Sequence, residues 1–289
     1  MAGYKAPKTR LHKDFVYLDH DRVLNSLSAF EAGKVDEIIE KTTDATDKGL
    51  TGAVGAGPVK AGGSKKRQKQ VQGELVRTRT WFSSFDAWHK TLHNQEAIGT
   101  FSAWSEQVRE QLGIGDTVEF VTEIKLHPLH MMFATFSSFA RDAGNPDSVF
   151  NLPANQVAEN RKVARMMETW VTGSHGSKST AAYFIPTDGK GPRIVGRLED
   201  EYLIGGLDQI DGTFTVVAQV DKKVDPGEQV SAIRVLRDVP PTPRELEVIG
   251  DALASFQGEP AAELGIELTS EDLALSHPVV IVRPLAIFK

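Results

Sequence analysis

GDTVEFVTEIKLH, residues 115–127, alternates apolar and polar side chains with a period of two. Val118, Phe120, Thr122, Ile124 and Leu126 fall on one face, with Glu119, Glu123, Lys125 and His127 on the other. Successive side chains of a strand point to opposite sides, so this pattern predicts a strand with one face in a core. The next residues change period. PLHMMFATFSSFA, residues 128–140, opens on a proline suited to a first helical turn and sets Met132, Phe133, Phe136, Phe139 and Ala140 at helical spacing. The class expected is α+β, from a helix-rich first portion with short strands and a β-rich last portion.

Upstream, DFVYLD (14–19) reads as a short buried strand. Asp19 or Asp21 can then cap a helix carrying Val23, Leu24, Leu27 and Phe30 on one face and closed by Gly33. KVDEIIEKTT (34–43) and QVQGELVRTRTWF (70–82) are compatible with strands. SSFDAWHKTL (83–92) begins a helix with Phe85, Trp88 and Leu92 facing a core, and AWSEQVREQL (103–112) holds a shorter one. NQVAENRKVARMMETWV (155–171) is a further helix, with Val163, Met166, Met167 and Trp170 on its apolar side.

The last third turns to strands. TAAYFIP (180–186), RIVGRL (193–198), TFTVVAQVDKKV (213–224) and EQVSAIRVL (228–236) are short β runs, the last two separated by the turn residues Asp225, Pro226 and Gly227. One amphipathic helix over 243–256 interrupts them, and HPVVIVRPLAIFK (277–289) reads as a buried strand. The expected organisation is a helix-rich α+β portion over 1–172, with a Gly/Lys loop at 48–70, and a β-rich portion over 173–289 with one helix.

The chain has 289 residues, 40% hydrophobic and 25% charged, which is ordinary for a folded protein with a sizeable core. A net charge of −6 argues against whole-surface attraction to polyanions, so contact with one would need a local basic patch. With no cysteine, disulfides, thiolate metal sites and cysteine nucleophiles are excluded, as suits a reducing cytoplasm. The first residues lack the apolar run of a secretion signal, and no window reaches the length of a membrane span. A cytoplasmic protein is expected.

Two basic patches exist, the N-terminal arm with Lys5, Lys8, Arg10 and Lys13 and the stretch from Lys60 to Arg79, the second entered through TGAVGAGPVKAGGSKKRQKQ, residues 51–70. It lacks the Gly-Lys-Ser/Thr of a phosphate-wrapping loop, and Lys60 stands where a dinucleotide fingerprint needs its third glycine. Its composition is that of a flexible loop, and Lys60, Lys65, Lys66, Arg67 and Lys69 are the candidate contacts to a polyanion or acidic partner. His89 and His93 stand one helical turn apart, as two imidazoles offered to a metal would, yet the glutamate of the metalloprotease motif is absent and Glu96 is the nearest carboxylate in sequence. His127 and His130 flank the strand-to-helix junction. Glu123 and Lys125 have the Glu-x-Lys spacing of nuclease-like strands without the upstream acid, and alternating charges on a solvated face explain them equally. LDHDR (18–22) holds only His20-Asp21 of a phosphohydrolase motif, and GSHGSKST (173–180) is either an anion-binding turn or a linker. No metal and no cofactor is expected.

FVYLDHDRVLNSLSAFEAGKVDEI (15–38), the Gly/Ser-rich insert, SFDAWHKTL (84–92) and the closing RPLAIFK (283–289) together resemble a prokaryotic family catalogued only as a domain of unknown function. The resemblance implies a bacterial or archaeal cytosolic protein of mixed α and β structure and supplies no activity. Every catalytic motif lacks a required member. The expectation is therefore a non-catalytic binding, regulatory or assembly module, with a protein partner or a second copy plausible. The alternatives are a metal-dependent nuclease or hydrolase using Glu123 and Lys125, and a nucleic-acid-binding protein using the basic loop.

Overall fold

The computed structural model describes residues 13–31, 80–148 save 102, 151–171, 178–186, 193–236 save 211, 269–289 and a few between 242 and 250. In chain order its elements are β1 (Phe15–Leu18), α1 (His20–Phe30), α2 (Trp81–Asn94), β2 (Gly99–Phe101), α3 (Glu106–Gln111), β3 (Thr117–Leu126), α4 (Pro128–Asp142) and α5 (Ala154–Val171). They continue with β4 (Ser179–Pro186), β5 (Ile194–Glu199), β6 (Thr213–Lys223), β7 (Gln229–Ser231), α6 (Ile233–Leu236), α7 (Ser270–Leu273), β8 (Ala274–Ser276) and β9 (Val280–Phe288). The chain divides into two compact units, Val23–His89 and the remainder.

In the larger unit the strands close on themselves. β9 pairs with β5, β5 with β4, β4 with β3, β3 with β6, and β6 returns to β9, giving a five-stranded barrel-like ring. β1 lengthens the ring beside the second half of β9, and β2 lies parallel to the first half of β3. Closing so few strands demands strong bending, and β6 and β9 accommodate it with register shifts at Val217/Ala218 and Val220/Lys222. Pro284 pairs with Ala218 at the first of these, between the part of β9 bonded to β5 and the part bonded to β1. A residue without an N–H is tolerated there and nowhere else in a central strand.

The alternation of 117–126 is as the sequence predicts: Val118, Phe120, Thr122 and Ile124 are buried. Val118, Phe120 and Ile124 meet Phe184, Leu198, Phe214, Val216, Val282 and Ile287 inside the ring. Each large apolar side chain so enclosed contributes about 1.5–3 kcal/mol. Gly196 is required here, because a Cβ at that position would lie 2.7 Å from the Phe184 ring and 3.0 Å from the Val282 carbonyl oxygen. A second core forms outside the ring, where Leu129, Met132 and Phe133 of α4 pack with Ala181, Val195, Ile233, Leu236, Leu275 and Val279. Burial of β9 on β1, β5 and β6 agrees with the strand expected over 277–289.

Three expectations need correction. His127 was assigned to the polar face but is 1% exposed, because the chain leaves the strand there and its ring turns inward to cap α4. EQVSAIRVL is not one strand: β7 stops at Ser231 and α6 begins at Ile233, with the amides of Val235 and Leu236 bonding back to the Ala232 carbonyl. Trp81 and Phe82 belong to a helix, since Thr80 starts α2 by accepting the Ser83 amide on its hydroxyl at 3.3 Å. The strand expected over 34–43 and most of the helix over 243–256 lie outside the described residues.

In the smaller unit, α1 turns Val23 and Leu27 to its buried side. The part of α2 in that unit buries Phe85 and Trp88, whose rings lie 5.8 Å apart.

Candidate functional site

The outer face of the ring carries a charged concavity. Outward positions of β5 are Arg197 and Glu199, and those of β9 are Ile281 and Arg283. The register shift after Val220 turns Asp221 of β6 to the same side, and the single turn of α6 brings Arg234 over it. These groups line a depression of about 200 Å³. Arg197 donates to Glu199 Oε1 at 2.8 Å, and Arg283 to Asp221 Oδ1 at 3.4 Å. Arg234 makes no hydrogen bond or ion pair among the described residues, so three guanidinium groups face two carboxylates. Arg234 also acts electrostatically on the Glu228 carboxylate, and the concavity presents planar donors suited to carboxylate or phosphate oxygens.

A buried hydrogen-bond chain lies behind α4. The Leu129 amide donates to His127 Nδ1 at 3.2 Å, so the neutral ring carries its proton on Nε2. Nε2 then donates to the Tyr183 hydroxyl at 3.0 Å, and that hydroxyl donates to Asp272 Oδ1 at 2.8 Å. Burial holds His127 down to about 4 against the nearby Asp272 charge. Burial raises the Asp272 carboxyl, but the hydroxyl and amide of Thr269 and the Tyr183 hydroxyl outweigh it and leave it below its ordinary value. Arg193 adds ion pairs to Glu271 at 2.9 Å and Asp272 at 3.8 Å. Nearby, His130 Nε2 lies 3.4 Å from the Thr180 hydroxyl, and burial lowers its pKa as well. The chain runs along the outer core, with Tyr183 only partly buried, and joins α4, β4 and α7.

Lys60, Lys65, Lys66, Arg67 and Lys69 lie outside the described residues, as do 173–177 of the glycine-serine segment. Glu123 and Lys125 are about half exposed and 3.6 Å apart, an ion pair on the surface of β3. Among the described residues no other His, Asp or Glu joins them in a metal-sized cluster. His20 pairs with Asp21 at 3.5 Å beside Tyr202, whose hydroxyl donates to Asp21 at 3.0 Å. His93 Nε2 lies 3.5 Å from Glu119 Oε2.

Sequence reading missed the arginines. Alternation within RIVGRLE and VVIVRPL marks Arg197 and Arg283 as outward, but their meeting depends on β5 and β9 being parallel neighbours, which no local pattern reveals.

The sequence profile of one family matches residues 12–288. The chain belongs to the family described as Domain of unknown function (DUF6414). That description gives the family no activity, and the match covers both the ring and the segments beside it. No curated protein and no solved structure matches the chain. None of the described helices is long and apolar enough to cross a membrane.

Proposed function

We propose that this protein is a non-catalytic binding module whose ring takes a small anionic ligand, a carboxylate or phosphate monoester, in the Arg197–Arg234–Arg283 concavity. The observation that carries this is the placement of three guanidinium groups around about 200 Å³, two of them held by Glu199 and Asp221. Arg234 offers its fork to a ligand, while Arg197 and Arg283 are held in place by their acids. An anion gains charge-assisted hydrogen bonds there without an ionised group being buried unpaired. A prokaryotic, cytosolic setting accords with the absence of cysteine and with the family resemblance. Calorimetric titration with inorganic phosphate and a phosphorylated sugar tests the reading, against Arg234→Gln and Arg283→Gln. Binding by the parent that falls about tenfold or more in both variants supports it. No binding by the parent, or equal binding in all three, removes it.

A further inference from the structure

The concavity over β5, β9 and β6 holds both signs of charge in a fixed order. β9 lies between β5 and β6, so Arg283 stands on the central strand, with Arg197 and Glu199 on one flank and Asp221 on the other. Neighbouring strands lie about 4.8 Å apart, which sets the two acid-bearing strands roughly 10 Å from each other. The two acids are not equivalent. Glu199 and Arg197 are each about one-fifth exposed and joined at 2.8 Å, a closed pair. Asp221 is 52% exposed, and its one hydrogen bond among the described residues is a long 3.4 Å contact from Arg283. An ionised carboxylate has about four acceptor positions, so Asp221 keeps most of its capacity for a further donor. A purely anionic ligand leaves that capacity unused and brings its own charge up against Asp221.

Resting on the anion site proposed above, we infer that its ligand is a zwitterion, an α-amino acid with a short apolar side chain. The ligand's carboxylate takes the guanidinium forks of Arg234 and Arg283, and its ammonium donates to Asp221. An α-amino acid carries both charges on one carbon, close enough to meet two neighbouring groups of opposite sign, and Asp221 and Arg283 are such neighbours. The ammonium replaces Arg283 at Asp221 and the released guanidinium turns to the ligand carboxylate, so every ion in the concavity keeps a partner. Val235 and Ile281 supply the apolar part of the lining and meet the ligand's side chain. The volume of about 200 Å³ suits a molecule of this size and falls short of the roughly 300 Å³ at which pockets for larger ligands begin.

The test is calorimetric titration of the full chain with L-leucine, with isocaproate, which is leucine without its ammonium, with isopentylamine, which is leucine without its carboxylate, and with inorganic phosphate. L-leucine should bind tightest, and isocaproate and isopentylamine should each bind about tenfold or more weakly, as loss of a charge-assisted hydrogen bond requires. Asp221→Asn should weaken L-leucine about tenfold and bring the ratio of the L-leucine and isocaproate affinities close to one. The variant should melt with the parent, since the position is half exposed, which separates loss of the ammonium partner from misfolding. Isocaproate binding as tightly as L-leucine, or an affinity ratio unmoved by Asp221→Asn, overturns the zwitterion and leaves the anion site standing. Phosphate binding without L-leucine binding does the same. Absence of binding by phosphate and by every organic probe overturns both readings.

Discussion

The Tyr183 hydroxyl donates to Asp272 Oδ1 at 2.8 Å, joining a ring strand to a one-turn helix 89 positions later. The same oxygen accepts from His127 Nε2, so one atom satisfies two buried polar groups on two other elements. Tyr183→Phe removes it, leaving the imidazole N–H without its acceptor and the carboxylate one donor short. Because unmade buried hydrogen bonds cost more than made ones gain, the loss should be about 2–3 kcal/mol in equilibrium urea unfolding. A change below about 0.5 kcal/mol would show that water replaces the hydroxyl at no cost.

His127 gives the protein an acid sensitivity of defined sign. Its folded pKa of about 4 lies below the value near 6.5 of an unfolded histidine. Between those values the unfolded chain takes up a proton that the folded chain refuses, so stability is full above about pH 6.5 and falls as pH drops towards 4. The contribution lost is about 3 kcal/mol. His130 is also lowered and adds in the same direction. His127→Asn keeps an acceptor for the Leu129 amide but cannot titrate. Its stability should vary less than the parent's between pH 7 and pH 4, measured by denaturant unfolding at each pH; parallel curves would contradict the assignment.

Gly196→Ala should be among the more damaging single changes in the ring. The added methyl meets the Phe184 ring and the Val282 carbonyl, and the second of these is backbone that cannot rotate aside. Overpacking of this kind costs about 1–3 kcal/mol. Replacing Phe184 by Leu in the same chain should recover only part of that loss, since the carbonyl clash persists. Thermal melting of the two variants settles the comparison.

Replacing Lys60, Lys65, Lys66, Arg67 and Lys69 by serine should leave the melting temperature unchanged. The parent should bind heparin or an oligonucleotide at low salt, with affinity that falls steeply as salt rises, and the variant should not. Equal binding by the variant would move polyanion contact elsewhere. Retention of phosphate binding in it would separate this segment from the Arg234 concavity.

The fold was legible where a single period rules a segment. Residues 117–126 show their buried face in the order of their side chains because a half-buried strand has two faces with different neighbours. Pro128 and the Met132/Phe133 stripe show α4 for the same reason. The ring itself was not legible: β3 pairs with β2, β4 and β6, and β9 with β1, β5 and β6, partners far apart in the chain. The candidate site follows suit: Arg234 lies in a run that reads as strand until α6 turns it over the concavity.

The position of β9 has a consequence for the order in which the protein can be made. One strand fills the gap between β5 and β6 and also receives β1, and among the described strands it is synthesised after the other eight. Until residues 280–288 emerge, the nascent chain holds two long unpaired strand edges beside a row of apolar side chains that have no interior to occupy. Such edges pair readily with any other extended chain. Until β9 is in place, then, the ring stands open along β5 and β6, and β1 lacks the strand it pairs with.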